Sequence, residues 1–265
     1  MTTADFFVTH SVFSLDDAER ELAPRGGRRG TVTRLKHHLA SGRLQLVSRG
    51  VYAVVPAGSS GSAFRPDPFL VAVASRADAI FAFHSALELL GVAPSTWNRC
   101  SVFTSRRRGH LRLEPGSVRF FDDPLPLRTH ELRHLGTRMV ERSGRMLEVT
   151  GAERTLVEGL RKPPLSGGLE ELLRSAGAFP ALDIGLVRAV LAAYGTARLW
   201  AATGWFLERY QQTFSVPDDF LADLEKQRPR SVHYLEREQR GGTLSSRWNL
   251  VIPESTEHMD AADER

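Results

Sequence analysis

At 265 residues, 42% hydrophobic and 25% charged, the chain has the composition of an ordinary folded protein and the length for a small module joined to a larger one. Its most apolar runs, residues 69–83 and 186–207, are interrupted by Arg76, Arg188 and Arg198, whereas a membrane-spanning helix needs about 20 nearly unbroken apolar residues. No basic-then-apolar leader opens the sequence, so the expected location is the cytoplasm, with no membrane partner. The single cysteine, Cys100, excludes an intrachain disulfide and a multi-cysteine zinc site. It is expected to be a small buried hydrophobe rather than a nucleophile.

The net charge of +4 says less than its distribution. Residues 24–60 carry Arg25, Arg28, Arg29, Arg34, Lys36, Arg43 and Arg49 without one Asp or Glu, and so one-sided a stretch repels itself unless an anion lies against it. A solvated basic surface is the plain alternative. Residues 3–12, rich in Phe, Val and Thr, would have to supply a first helix although such residues have poor helix propensity. Ser14, followed by Asp16 and Asp17, opens a helix running to about Leu22, because Ser can cap free N–H groups and acids suit the positive end of the helix dipole.

Pro24, Gly26 and Gly27 then break the chain, and Thr31 is expected to open a second helix ending near Ser41, stopped by Gly42. In that helix Val32, Leu35 and Leu39 share an inward stripe, which turns Thr33, Arg34, His37, His38 and Ser41 outward with Lys36 on the flank. Past Gly42 the period changes to alternation over 44–46 and 51–55, around a Ser48-Arg49-Gly50 turn, which reads as a hairpin. Helix, basic helix and basic-tipped hairpin in this order predict a winged helix-turn-helix over residues 1–60. Arg28, Arg29, Arg43 and Arg49 would hold phosphates, and Thr31, Thr33, Arg34, Lys36, His37 and His38 would face the groove of double-stranded DNA.

A Gly/Ser-rich linker at 57–62 leads to an α+β domain over 66–252, with a helical C-terminal part and a frayed tail at 253–265. Helices are expected at 69–75 and 84–90, an apolar element at 79–83, and strands at 100–104, 111–113, 118–121 and 146–149. Thr150 and Glu153 resemble a capping box. Residues 168–210 read as helices broken near Gly177, Pro180 and Gly195, with Trp200, Trp205, Phe206 and Tyr210 as core or interface aromatics.

Several segments resemble the AbiE-type antitoxins (AbiEi family) of type IV toxin–antitoxin systems: GRLQLVSRGVYAV at 42–54, FHSALELLGV at 83–92, VTGAERTLVEGL at 149–160, GGLEEL at 167–172 and SRWNLVIP at 246–253. The resemblance implies an N-terminal winged helix that binds inverted repeats in the promoter of its own operon and represses it. It also implies a C-terminal domain that counteracts a nucleotidyltransferase toxin, directly or indirectly, with no cofactor and no catalytic role. A regulator without a toxin partner is the nearest alternative.

A more distant alternative is a zinc-dependent hydrolase, because His130-Glu131-Leu132-Arg133-His134 matches H-E-x-x-H. Pro126 and Gly136 leave little room for the helix that motif needs, and Arg133 puts a cation beside a ligand. Arg106, Arg107, Arg108 and Arg112 form a second basic cluster, readable as a solvated hairpin tip, a phosphate contact or a surface for an acidic partner. The phosphate-loop and nucleophile-elbow patterns are absent from the sequence, and RGGRRG at 25–30 has the wrong spacing for the former.

Overall fold

Thr2 starts the first helix. Its hydroxyl accepts the Asp5 N–H at 3.1 Å while the Asp5 carboxylate accepts the Thr2 N–H at 3.1 Å, so a capping box opens α1 (Thr3–Thr9). Poor intrinsic propensity is overridden by burial: Phe6 and Phe7 are 0% and 8% exposed and pack on Phe13, Phe6 edge-on and Phe7 stacked. The expected helix over 3–12 is nevertheless too long, because Val12 already lies in β1 (Val12–Ser14). Ser14 and Asp17 then cap each other's backbone N–H groups at 3.0 Å and open α2 (Leu15–Leu22), where the sequence places it.

The computed structural model describes residues 2–22, 27–59, 64–236 and 241–259. Pro24, Arg25 and Gly26, the second half of the expected linker at 57–62 and the last residues of the expected tail lie outside them. α3 (Gly27–Ala40) begins four residues before Thr31 and ends in a Schellman motif, with Gly42 at φ +70°, Arg43 N–H donating to His38 O and Gly42 N–H to Leu39 O. The hairpin of β2 (Leu44–Ser48) and β3 (Val51–Val54) turns at Arg49 and Gly50. β3 pairs antiparallel with both β2 and β1, giving the order β1-β3-β2. Helix, strand, two helices and hairpin, closed over Phe6, Phe13, Ala18, Leu35, Leu44 and Tyr52, form a winged helix-turn-helix.

The rest of the chain is mixed α and β, so the fold class is α+β. In order come α4 (Pro68–Ser75), β4 (Ile80–Phe81), α5 (His84–Leu89), β5 (Arg99–Thr104), β6 (Gly109–Arg112), β7 (Ser117–Asp122), α6 (His130–Arg133), β8 (Thr137–Arg142), β9 (Arg145–Thr150) and α7 (Ala152–Arg161). α8 (Leu169–Gly177), α9 (Ile184–Tyr194), α10 (Ala197–Arg209), α11 (Asp218–Lys226), β10 (His233–Tyr234), β11 (Thr243–Ser245) and β12 (Leu250–Ile252) follow. Strands β4 to β9 make a sheet of order β6-β7-β5-β4-β9-β8, with β5 and β7 parallel and β6 antiparallel to β7. Strands β10 to β12 make a second small sheet. Among the described residues no helix is long and apolar enough to cross a membrane.

Two compact units divide the chain: Met1–Ile80, Trp97–Asp122 and Met139–Glu148 in one, Phe81–Thr96, Asp123–Arg138 and Val149–Arg265 in the other. In the first, Arg145 of β9 donates to Val12 O at 3.2 Å and lies 3.7 Å from Asp17, tying the winged helix to the sheet strand. Burial alone would raise the Asp17 pKa, but hydrogen bonds with Ser14 and the charges of Arg145 and Arg20 outweigh it, so the carboxyl sits below its ordinary 3.8.

The second unit is built on helices α7 to α10. Its core holds Leu156, Leu160, Leu172, Val190 and Phe206, with Trp200, Trp205 and Tyr210 packed partly buried against it. Inside lies an ion pair, Arg154 Nε to Glu158 Oε1 at 2.8 Å with both side chains at most 1% exposed. Arg154 also donates to the carbonyls of Arg133 and Leu135, and Tyr194 O–H to Glu158 Oε1 at 2.6 Å, additional hydrogen bonds of the kind that offset the desolvation of a buried pair.

Two expectations fail here. Thr150 hydrogen-bonds with Thr155 rather than capping α7, and Glu153 accepts the Asp183 N–H; Gly151 is the N-cap, without a side-chain cap. The tail is not frayed from residue 253, since Glu254–Met259 forms a 3-10 helix with Thr256 fully buried.

Two stability outcomes follow from these contacts. Asp17→Asn should cost about 1 kcal/mol at pH 7, as loss of a cap does, measured by urea unfolding. Because the folded-state pKa is depressed, the wild-type advantage is present above 3.8 and should shrink as pH falls through the lower folded value; a difference that grows with acidity would refute the assignment. Gly204→Ala gains up to about 1 kcal/mol of helix propensity, but the new Cβ runs into the ring of Trp248, which is 0% exposed and has nowhere to move. Overpacking of about 1–3 kcal/mol should therefore win, and thermal melting should show a lower Tm.

Candidate nucleic-acid interface

The rotation of α3 about its axis decides which cations face water. Thr31 and Leu35, one turn apart, are 0% and 1% exposed, with Val32 and Leu39 half-buried beside them. A helix turns about 100° per residue, so pinning this side inward leaves Arg29, Thr33, Lys36 and His37 on an outward stripe with Arg34 flanking it, all five exposed. Of the outward set deduced from the periodicity, Thr33, Arg34, His37 and Ser41 are exposed and His38 is half-buried, while Lys36, expected on the flank, is exposed as well. Arg34 reaches Thr3 Oγ1 at 3.4 Å, while among the described residues Arg29 and Lys36 make no side-chain hydrogen bond or ion pair.

Three residues of the expected set sit differently. Thr31 is buried and donates to Gly27 O at 3.2 Å, so it holds the added first turn of the helix and faces no groove. Arg28 is exposed, but its guanidinium donates to Asp16 at 2.7 Å and Glu19 at 2.9 Å; it clamps α3 to α2, and those carboxylates raise its pKa. His38 is half-buried with its ring edge-on to Phe7 at 4.9 Å. Desolvation, then the neighbouring charges of Arg43, His37 and Arg34, lower its pKa, so it contributes shape and hydrogen bonding at neutral pH rather than charge.

The remaining cations extend the face. Arg43 follows the Schellman turn directly and is exposed. Arg49, at the wing tip beside Gly50 (φ +78°), is exposed and without a side-chain partner among the described residues. Gly50 supplies the positive φ of this turn, which glycine adopts without strain. Acidic side chains of α2 that could neutralise the face are engaged: Asp16 and Glu19 by Arg28, Glu21 by His10 at 3.2 Å.

The competing chemical motifs acquire no site. His130 and Glu131 lie on the four-residue α6 with His134 at its end, all three exposed, and Arg133 Nε donates to Asp123 at 2.8 Å. One turn of helix cannot present the two imidazoles of H-E-x-x-H on a stable face, and no cluster of metal-ligating side chains occurs among the described residues. Cys100 is buried in β5.

One constellation was not legible in the sequence. His84 and Glu171, from two of the signature segments, come within 2.9 Å, and Ser95 Oγ donates to the same Glu171 oxygen at 2.5 Å. Gly167 (φ +97°) makes room for this carboxylate, which a Cβ there would strike. Ser95 Oγ lies nearer to the acid than to the imidazole, 3.3 Å from His84 Nε2, and His84 is 1% exposed; the cluster ties α5 to α8.

A scan of protein families and a search of curated proteins find no match to the sequence. Among solved structures, the fold is similar to that in the crystal structure of the RV2827C protein from Mycobacterium tuberculosis, with a TM-score of 0.63 at 16% identity, covering 98% of this chain and 92% of that one. At that identity the likeness is one of fold.

Proposed function

We propose that this chain is a cytoplasmic, sequence-specific DNA-binding regulator, an autorepressor and antitoxin of the AbiE type, and not an enzyme. The observation that carries the DNA-binding half is the outward face of α3 and the wing. Thr33, Arg34, Lys36 and His37 stand exposed on the helix, and Arg43 and Arg49, exposed beside it, make no side-chain ion pair among the described residues. An α-helix fits the major groove, where Arg and polar side chains reach base edges; an arginine at a wing tip suits phosphate or the minor groove.

The antitoxin half rests on the sequence signatures. Inverted repeats in its own promoter are the DNA partner this reading implies, and a nucleotidyltransferase toxin encoded alongside is the protein it counteracts. An adjacent nucleotidyltransferase gene whose toxicity the chain relieves supports the antitoxin; its absence leaves the regulator alone.

Gel-shift titration against the chain's own upstream DNA and against random duplex tests the interface. Arg34→Ala should lose on the order of 1–3 kcal/mol on operator DNA and little on random DNA; equal losses on both would remove Arg34 from base reading. Arg49→Ala should weaken both alike and reduce the salt slope by about 1. Arg28→Ala, by contrast, should lower thermal stability more than affinity, because its charge is already committed to Asp16 and Glu19.

A further inference from the structure

A second cationic surface lies in the same unit as the winged helix, on the outer strands of the larger sheet. Residues 105–121 hold five arginines and one carboxylate, Glu114. Register sorts them by face. Arg99 of β5 and Arg112 of β6 flank Ser117 of β7 in one cross-strand row, and Arg119 and His110 are paired in the next. Partners directly opposite share a face and strands lie about 4.8 Å apart, so these four side chains form a grid on one side. Val118 and Phe120, on the opposite side of β7, are at most 5% exposed.

The grid is continuous in sequence with a loop whose base is held in place. Asp78 accepts hydrogen bonds from Thr104 Oγ1, from the Ser105 N–H at 2.8 Å and from Ser105 Oγ at 2.7 Å, and Arg106 N–H donates to Thr104 Oγ1 at 3.1 Å. One carboxylate thereby fixes the base from which Arg106, Arg107 and Arg108 project, all exposed. Arg119 Cζ lies 4.7 Å over the Phe121 ring, a cation–π contact. Among the described residues Arg99, Arg107, Arg108 and Arg112 have no side-chain hydrogen bond or ion pair.

We propose that this β5–β6–β7 face is a second, sequence-independent contact for a DNA phosphate backbone, extending the footprint beyond the groove read by α3. The identity of the DNA as this chain's own operator rests on the function proposed above; the phosphate contact does not. Duplex DNA is favoured over an acidic protein because no large exposed hydrophobic residue lies between Arg99 and Asp122, and protein interfaces are anchored by buried aromatic or aliphatic groups. Arginine forks bind phosphate in bidentate fashion.

The test is the salt dependence of binding by the full chain. Arg107→Gln/Arg108→Gln/Arg112→Gln should reduce the magnitude of the log K against log salt slope by about 3, close to 0.9 per phosphate contact. It should weaken operator and random duplex by the same factor, on the order of tenfold or more, leaving the operator-to-random ratio and the Tm unchanged. The matching triple Arg→Lys variant should keep the wild-type slope. If wild type shows no preference for its upstream DNA, the regulator reading fails, while the slope on random duplex still judges the sheet face. An unchanged slope in the glutamine variant overturns the proposal, and capture of an acidic protein lost in that variant would assign the face to that partner instead.

Discussion

Everything proposed for the N-terminal module depends on one constraint, the burial of Thr31 and Leu35 one turn apart on α3. A helix has no intrinsic up or down; tertiary packing sets its rotation. With Leu35 inserted among Phe6, Phe13, Leu44 and Tyr52, rotating α3 to hide Arg34 would expose the apolar stripe and bury a guanidinium. Each buried leucine-sized side chain contributes about 1.5–3 kcal/mol, and an unpaired buried charge costs more still. The cationic face is therefore the complement of the core, fixed by the same contacts.

Charge within the module is divided by partner rather than by residue type. Arg28 and Arg29 are adjacent in sequence and both exposed. Arg28 meets two α2 carboxylates and becomes part of the helix-turn-helix clamp, whereas Arg29 stays open to an external anion. His37 and His38 divide in a similar way, one exposed and one against Phe7. Surface ion pairs contribute little to stability; here the consequence lies in which charges remain for a ligand.

The second unit takes the opposite course with its polar groups. Arg154, Glu158 and Tyr194 are buried together, Arg154 donating to the backbone carbonyls of residues 133 and 135 and Glu158 accepting from Arg154 and Tyr194, and His84, Ser95 and Glu171 bind one another. Such networks fix how elements meet, because a slipped arrangement strands a buried charge. The His84, Ser95 and Glu171 cluster, with His84 1% exposed, is one such tie between α5 and α8.

By itself the sequence determined periodicity and punctuation. The α2 cap at Ser14, the stop at Gly42, the wing turn at Arg49-Gly50, the outward placing of Thr33, Arg34, His37 and Ser41, and the breaks at Gly177 and Gly195 all follow from local rules that act over a few residues. What only the tertiary structure decided is anything that needs a distant partner: α1 forming from a poor helical sequence because its phenylalanines meet Phe13, α3 gaining a turn that Arg28 ties to Asp16 and Glu19, and the loss of Thr31 to the core. The same holds for β8 and the small sheet of β10 to β12, which alternation alone did not reveal, and for the face shared by Arg99, Arg112 and Arg119, set by strand register between segments whose pairing no local rule specifies. Local chemistry writes the elements, but side-chain availability is settled by what packs against them.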